Sequence, residues 1–162
     1  MAGMNIVFVN PEIPQNTGST ARLCAATGAS FHLVGKLGFR TDDASVKRAG
    51  LDYWHSVDMH RHADFDSFLA SAGGGAPLWL FSRHAQRLYT NAQYSPGDFL
   101  VFGRESTGLP DEITSRFPDR CLRIPILDNV RSLNLATSAG IVLFEALRQM
   151  GFAGVLPDER QA

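Results

Sequence analysis

Short apolar runs alternate along the chain with segments in which apolar residues recur at helical spacing. The apolar runs are typical of buried strands, as in Asn-Ile-Val-Phe-Val-Asn at 5–10. We predict strands at 5–10, 30–34, 55–59, 77–81, 98–102 and 121–126. We predict helices at 16–27, 45–49, 64–72, 111–117 and 134–150. Asn16 or Thr17 is a suitable N-cap for the first helix, and Gly28 follows its expected end.

This alternation predicts an α/β fold with a mainly parallel sheet flanked by helices. The last helix differs from the others because it is apolar almost all round from Leu135 to Phe144, which predicts burial on several sides. In parallel sheets, ligands bind beyond the carboxyl ends of the strands. The loops of interest are therefore those that follow Asn10, Phe81, Phe102 and Ile126.

Length and composition are those of an ordinary globular domain. The 162 residues, 44% of them hydrophobic, predict one domain over 1–162, with a core at about 4–152 and a frayed tail at 153–162. No apolar run approaches the ~20 residues of a membrane span, and the first residues lack a signal-like segment. Cys24 and Cys121 form neither a disulfide framework nor a zinc motif. We therefore expect a cytoplasmic protein with no metal and no membrane partner.

The net charge of −1 gives no overall attraction to nucleic acid, so any RNA contact needs a local basic patch. All but Lys36 and Lys47 of the 15 basic residues are arginines. Arginine presents a planar fork of donors that suits phosphate groups. A high genomic GC content would explain the same bias, so composition alone does not decide the matter.

The loop at 10–18 reads Asn-Pro-Glu-Ile-Pro-Gln-Asn-Thr-Gly and leads into the first helix. Backbone N–H groups at such a helix start favour an anion such as a phosphate. Arg22 lies further along the body of the same helix. A capped surface helix with a solvated arginine explains these residues as well.

Two further loops follow predicted strands. The loop at 102–110 carries Gly103, which allows close approach of a ligand or a positive φ, although no dinucleotide fingerprint or P-loop is present. The segment at 123–135 runs through a polar loop into the last helix, where Ser132 and Asn134 are good N-caps. A glycine-rich turn and plain helix capping remain open as alternatives for these two loops.

No other catalytic set emerges from the sequence. The histidines are scattered and are interpreted as surface residues, and no serine-hydrolase elbow is present. They are His32, His55, His60, His62 and His84.

Taken together, the three loops resemble the signature motifs of the SPOUT superfamily, specifically the SpoU-type RNA ribose 2′-O-methyltransferases. The resemblance rests on 16–18 with Arg22, on 102–110, and on 124–125 through 132–135, and it covers about 4–152. The segments at 11–18 and 48–53 look like a narrower subfamily, the tRNA wobble-nucleotide 2′-O-methyltransferases known as TrmL. That subfamily consists of the catalytic domain alone.

The resemblance implies a carboxy-terminal trefoil knot, a homodimer with sites beside the subunit interface, and S-adenosylmethionine as the methyl donor. The donor is expected against Phe81, Gly103, Ile124, Ser132 and Leu133. The expected polar catalytic residues are Arg22, Glu105, Ser132 and Asn134. Because a guanidinium is essentially always protonated, we expect Arg22 to hold the target phosphate and stabilise the developing 2′-oxyanion rather than accept a proton.

The implied substrate is a tRNA anticodon stem-loop, methylated on the ribose of its wobble cytidine or uridine. No DNA partner is expected, because the 2′-hydroxyl is the group that distinguishes RNA from DNA. Arg22, Arg48 and Tyr53 are the predicted RNA contacts, and core packing explains the aromatic ring equally well. Two alternatives stay open: a SpoU-type activity on another tRNA position or on rRNA, and a non-catalytic RNA-binding α/β module.

One departure from the family pattern lies directly after the strand that ends at Phe81. Relatives often have threonines followed by a lysine there, whereas this chain has Ser-Arg-His-Ala at 82–85. Side-chain roles at these positions are therefore not carried over from the family.

Overall fold

The computed structural model describes residues 3–42, 44–50, 53–72, 75 and 77–155. The strands within these residues are β1 Asn5–Val9, β2 Ser30–Val34, β3 Met59–His62, β4 Leu78–Phe81, β5 Phe99–Phe102 and β6 Cys121–Leu122. The α-helices are α1 Pro14–Thr27, α2 Ala44–Gly50, α3 Phe65–Ser71, α4 Asp111–Thr114 and α5 Leu135–Gln149. Short 3₁₀ helices lie at Trp54–Ser56, Tyr89–Asn91 and Pro118–Arg120.

The strands form one sheet in the order β3-β2-β1-β5-β4-β6, and every neighbouring pair is parallel. The central strands are buried on both faces, as the short apolar runs require. The prediction of an α/β fold with a mainly parallel sheet is confirmed. The strand order reverses direction at β1 and β5, which places a crevice for ligands beyond their carboxyl ends.

Each face of the sheet carries its own hydrophobic core because successive side chains on a strand point to opposite sides. Phe8 and Leu100 face α1 and α5 and pack there with Leu143. Val7 and Val101 face the other side and pack with residues of α3 and α4. The rings of Phe8 and Phe31 meet edge to face at 5.1 Å between centroids.

The first helix begins two residues earlier than predicted. Pro14 occupies its first turn and Ile13 is the N-cap residue, so neither Asn16 nor Thr17 caps it. Proline suits this position because its fixed φ is already helical and its missing N–H would have had no partner. The predicted end is confirmed, since Gly28 adopts the left-handed conformation with a φ of 72°.

The third and sixth strands also differ from the sequence prediction. Pairing with β2 begins at Met59, opposite Phe31, while 54–56 form a 3₁₀ turn, so the strand predicted at 55–59 is wrong in its bounds. The strand predicted at 121–126 ends at Leu122, because the backbone of Arg123 pairs with the segment at 87–89 instead of β4.

The last helix is not buried on all sides. Its buried residues follow one broad face, and the predicted burial on several sides is wrong at Phe144, which is 46% exposed. An apolar helix face favours burial, but the sequence does not indicate whether residues of the same chain bury it. Asn134 caps this helix by accepting a hydrogen bond from the N–H of Thr137 at 3.1 Å.

The chain beyond α5 continues as a turn. Phe152 and Val155 still pack against the core, and residues 156–162 of the predicted tail lie outside the described residues. Among the helices described, none is long and apolar enough to cross a membrane. The single domain over 1–162 stays a prediction.

Candidate active site

A cavity of about 870 Å³ opens at the carboxyl ends of β4 and β5. Its walls come from the loop after each of these strands, from the start of α1, and from the segment that leads into α5. The stacked rings of Phe81 and Phe102, 4.7 Å apart between centroids, lie at the strand ends that border it. All five residues predicted to contact the donor line this cavity: Phe81, Gly103, Ile124, Ser132 and Leu133.

Glu105 fixes the loop after β5 to the start of α1. Its carboxylate accepts hydrogen bonds from the backbone N–H groups of Glu12 at 2.7 Å and Ile13 at 3.0 Å, and from the Asn16 amide at 3.1 Å. Ser106 donates a further bond of 2.7 Å to the side chain of Glu12. With three donors already bound, the Glu105 carboxylate orients two loops.

Asn16 extends this network to the third loop. It is 5% exposed, and its side-chain oxygen accepts a hydrogen bond of 2.8 Å from the amide of Asn134. Glu105, Asn16 and Asn134 therefore form one chain of hydrogen bonds that joins all three motif loops. Sequence reasoning placed Asn16 in a motif but not in the site, because its helix position suggested a cap.

Gly103 is required for a reason that the sequence did not reveal. A Cβ atom at this position would overlap the backbone of Gly108 and Leu109, so the loop can close tightly only on a glycine. The predicted alternative of a positive φ is not what the backbone adopts at Gly103. Its main chain remains on the cavity wall.

Arg22 does not line the cavity of its own chain. It is exposed on α1, and its guanidinium lies over the ring of Tyr53 at 5.3 Å from the centroid. Arg48 is exposed on α2, which packs against α1. The structure thus groups two of the predicted RNA contacts, Arg22 and Tyr53, away from the cavity that holds Glu105 and Ser132.

The interpretation of the histidines as surface residues is wrong for His32, and three of the histidines are not scattered but lie together. His32 is 8% exposed, and its ring stacks on those of His60 and His62 at 4.5 and 5.3 Å between centroids. These residues lie side by side on β2 and β3, a contact that sequence distance hides. Burial, followed by the neighbouring His60 and His62, lowers the pKa of His32 to about 4.

Among the residues that the structure describes, no group of three or more histidine, cysteine, aspartate or glutamate side chains is placed to hold a metal ion. His32 bonds to His62 and Asn5, which ties the His32–His60–His62 stack to β1, β2 and β3. Asp58 accepts bonds from Ser30 and His60 at its edge.

Comparison with known protein families gives the same assignment as the fold and the three joined loops. A model of the SpoU rRNA methylase family matches residues 3–144, and the chain belongs to this family. A tRNA (cytidine(34)-2'-O)-methyltransferase of Burkholderia ambifaria is 45% identical over 152 residues, which cover 93% of this chain and 97% of the relative.

Two solved structures show the same fold. One, described as giving insights into the 2-OH methylation of C/U34 on tRNA, is 43% identical, with a TM-score of 0.89 over 93% of this chain and 97% of that chain. The other is an AdoMet-bound rRNA methyltransferase from Sinorhizobium meliloti, 27% identical, with a TM-score of 0.82 over 91% of this chain and 57% of that chain.

Proposed function

We propose that this protein transfers a methyl group from S-adenosylmethionine to the ribose 2′-hydroxyl of the wobble nucleotide, cytidine or uridine, in the anticodon loop of tRNA. The observation that carries the proposal is the Glu105–Asn16–Asn134 chain of hydrogen bonds, which gathers the three motif loops around one cavity. The near full-length similarity to a tRNA (cytidine(34)-2'-O)-methyltransferase supports the choice of substrate.

The cavity suits the proposed donor in size and in the character of its walls. Ligand pockets of this kind span roughly 300–1,000 Å³ and combine apolar walls with a few polar groups. Phe81 and Ile124 would contribute apolar surface, and the backbone at Gly103 and Leu133 would contribute hydrogen-bonding groups. When bound, the donor supplies an electrophilic methyl group on a sulfonium. The protein's part is then to position the ribose and stabilise charge.

Of the predicted catalytic residues that line the cavity, Ser132 is the one whose side chain is available to a ligand. It lines the cavity and is exposed, and its hydroxyl has no partner among the residues that the structure describes. Glu105 and Asn134 act instead as positioning residues, because their polar atoms are bound to each other's loops through Asn16. We propose that Ser132 contacts the donor or the target ribose.

We propose that the active form is a homodimer in which Arg22 serves the cavity of the second copy. Two observations support this arrangement: Arg22 does not line its own cavity, and the apolar side chains of Phe144 and Ile13 are 46% and 43% exposed on or next to the packed helices α5 and α1. A protonated guanidinium brought to the ribose would stabilise the 2′-oxygen as it gains negative charge. Arg48 and Tyr53 would contact RNA nearby.

Oligomeric state tests this part of the proposal. Light scattering should give a dimer mass for the native protein and a monomer mass for Phe144→Asp, because a carboxylate would be buried without a partner in the interface. Leu127→Asp is the matched control, since Leu127 is 76% exposed on a loop. A monomeric native protein would argue against the dimer.

We further propose that α5 completes a trefoil knot. The path of the chain supports it: after β6 at the sheet edge, Arg123 pairs with the segment at 87–89, and α5 then packs against α1 and β5 at the middle of the sheet. Stretching a single molecule from its two ends should leave an unfolded contour length shorter than the roughly 3.4 Å per residue of an open chain. A full contour length would exclude the knot.

A cytoplasmic location is also part of the proposal. Cys24 and Cys121 are both free thiols, as expected of a reducing compartment. Burial raises the pKa of Cys24 to about 12, which keeps its thiol protonated and inert. Cell fractionation should recover the protein with cytoplasmic tRNA.

Mass spectrometry of tRNA nucleosides, with and without the gene, tests the proposed reaction. We expect the 2′-O-methyl mark at the wobble position to vanish when the gene is deleted and to return when purified protein and donor are added. A mark lost elsewhere in tRNA or in rRNA would identify a different substrate. Calorimetric titration that detects no binding of S-adenosylmethionine would instead favour the non-catalytic RNA-binding module.

A further inference from the structure

Cationic side chains surround the mouth of the cavity. Arg83, Arg104 and Arg131 all line it. Arg104 approaches the carboxylate of Glu12 at 4.0 Å, whereas Arg83 and Arg131 have no carboxylate within that distance in the described part of the chain. The acidic residues Glu105 and Asp111 also line the cavity, and the Glu105 carboxylate is bound to donors from the α1 side. In the described part of the chain, the mouth therefore holds two guanidinium groups, those of Arg83 and Arg131, with no carboxylate within 4.0 Å.

The side chain of Arg83 contacts the backbone of Arg131. An Nη atom of Arg83 donates a hydrogen bond of 2.9 Å to the backbone oxygen of Arg131. Arg83 comes two residues after β4, and Arg131 directly precedes Ser132, so the pair spans the gap between two walls of the cavity. A guanidinium carries five N–H donors. The bond to Arg131 leaves most of those of Arg83, and all of those on the Arg131 side chain, without a protein acceptor among the described residues.

We propose that Arg83 and Arg131 form a subsite for a phosphodiester group of the substrate RNA, at the rim of the donor cavity. This inference rests on the proposed function and assigns a specific contact within it. A guanidinium fork matches the geometry of phosphate oxygens, which a lysine would meet only as a point charge. The target ribose must enter between these cavity walls, so one of its flanking phosphates passes the rim.

The exposure of both side chains favours RNA over the carboxylate of the donor itself. Arg83 and Arg131 are exposed on the rim, where a polymer can reach them from solvent. A group that recognised the small donor would be expected deeper, among the enclosed walls that hold most of a small ligand's surface. Arg83 also lies in the run at 82–85 that departs from the family pattern.

RNA binding by matched variants tests the subsite. Arg131→Gln removes one charge without touching the Arg83 bond, which uses the backbone oxygen, and Arg83→Gln keeps an N–H donor for that oxygen. The control is Arg40→Gln, an exposed arginine paired with Asp42. Fluorescence anisotropy with an anticodon stem-loop should show about 5- to 10-fold weaker binding for each subsite variant, and a dependence on salt less steep by about 0.7 in the log–log slope. The control should bind like the native protein.

Donor binding and methyl transfer separate the possible failures. Calorimetry should give the same Kd for S-adenosylmethionine in all variants, and a donor Kd that rises with unchanged RNA affinity would overturn the proposal in favour of the donor carboxylate. RNA affinity equal to that of Arg40→Gln would also overturn it. If the native protein transfers no methyl group to tRNA, the proposed function is wrong. The salt dependence of RNA binding by the Arg83 and Arg131 variants, compared with Arg40→Gln, still tests the subsite. If transfer is normal and the variants bind RNA normally, only the subsite fails.

Discussion

Acidification should destabilise the protein through His32. Asn5 donates its amide N–H to the backbone oxygen of Gly97, so its side-chain oxygen faces His32 Nε2, which must then be the protonated nitrogen. His32 Nδ1 is left to accept from His62 Nε2 at 3.0 Å. A second proton on His32 would force His62 to change tautomer and would place a charge in a buried site. The pKa of His32 is accordingly lowered to about 4, chiefly by burial.

The sign and size follow from proton linkage. The unfolded chain takes up a proton near the ordinary pKa of about 6.5, whereas the folded chain resists it until about pH 4, so the unfolded state binds more protons in between. Stability from this group is present above pH 6.5 and is lost as the pH falls. Between pH 7.5 and 5.5 the loss is about 1.3 kcal/mol, and solvent near the exposed His60 reduces it towards about 1 kcal/mol.

Urea unfolding at the two pH values measures this loss. The change in unfolding free energy should be about 1 kcal/mol smaller in His32→Gln than in the native protein, because glutamine can still donate to Asn5 and accept from His62 without titrating. His55→Gln, which alters an exposed histidine, should keep the native pH dependence. The reasoning is refuted if His32→Gln loses as much stability on acidification as the native protein.

Three further substitutions test the site. Glu105→Gln should lower the unfolding free energy by about 2 kcal/mol in urea, because a neutral amide cannot accept all three bonds made to the carboxylate; unchanged stability would contradict this. Ser132→Ala should leave stability within about 0.5 kcal/mol, since its hydroxyl has no protein partner, and should reduce kcat for tRNA; native kcat would exclude a catalytic role. Arg22→Lys should reduce kcat about 10²- to 10³-fold with an unchanged donor Kd; near-native turnover would argue against a need for the guanidinium fork.

Much of the fold could be predicted because its determinants are local. The runs at 30–34 and 98–102 are short and mostly apolar, and the structure buries both as inner strands of a parallel sheet. Glycine past the end of α1 and asparagine before α5 act as the helix-ending and helix-capping rules predict. These features depend on neighbours within a few residues, so a single sequence suffices to find them.

Other features depend on partners that are distant in sequence. His32 meets His62 only because β2 and β3 pair in parallel, and no spacing rule connects two residues 30 positions apart. The exposed ring of Phe144 looked like core because apolar residues surround it on the helix, and periodicity does not reveal what covers an apolar face. The bounds of the strand predicted at 55–59 were wrong because pairing with β2, which is distant in sequence, determines where β3 begins.

Asn16 shows why the candidate site was harder to predict than the fold. The same amide satisfies a local rule for helix capping and a long-range role in the network, and the sequence offers no means of choosing between them. Pro14 resolves the conflict by starting the helix two residues earlier, which frees the Asn16 side chain to link Glu105 with Asn134. Since both neighbours bind through that one amide, the loop after β5 and the start of α5 are held in register by α1. The geometry of the site therefore depends on the residue at which α1 begins. Glu105, Asn16 and Asn134 hold the three loops in place in the absence of a substrate.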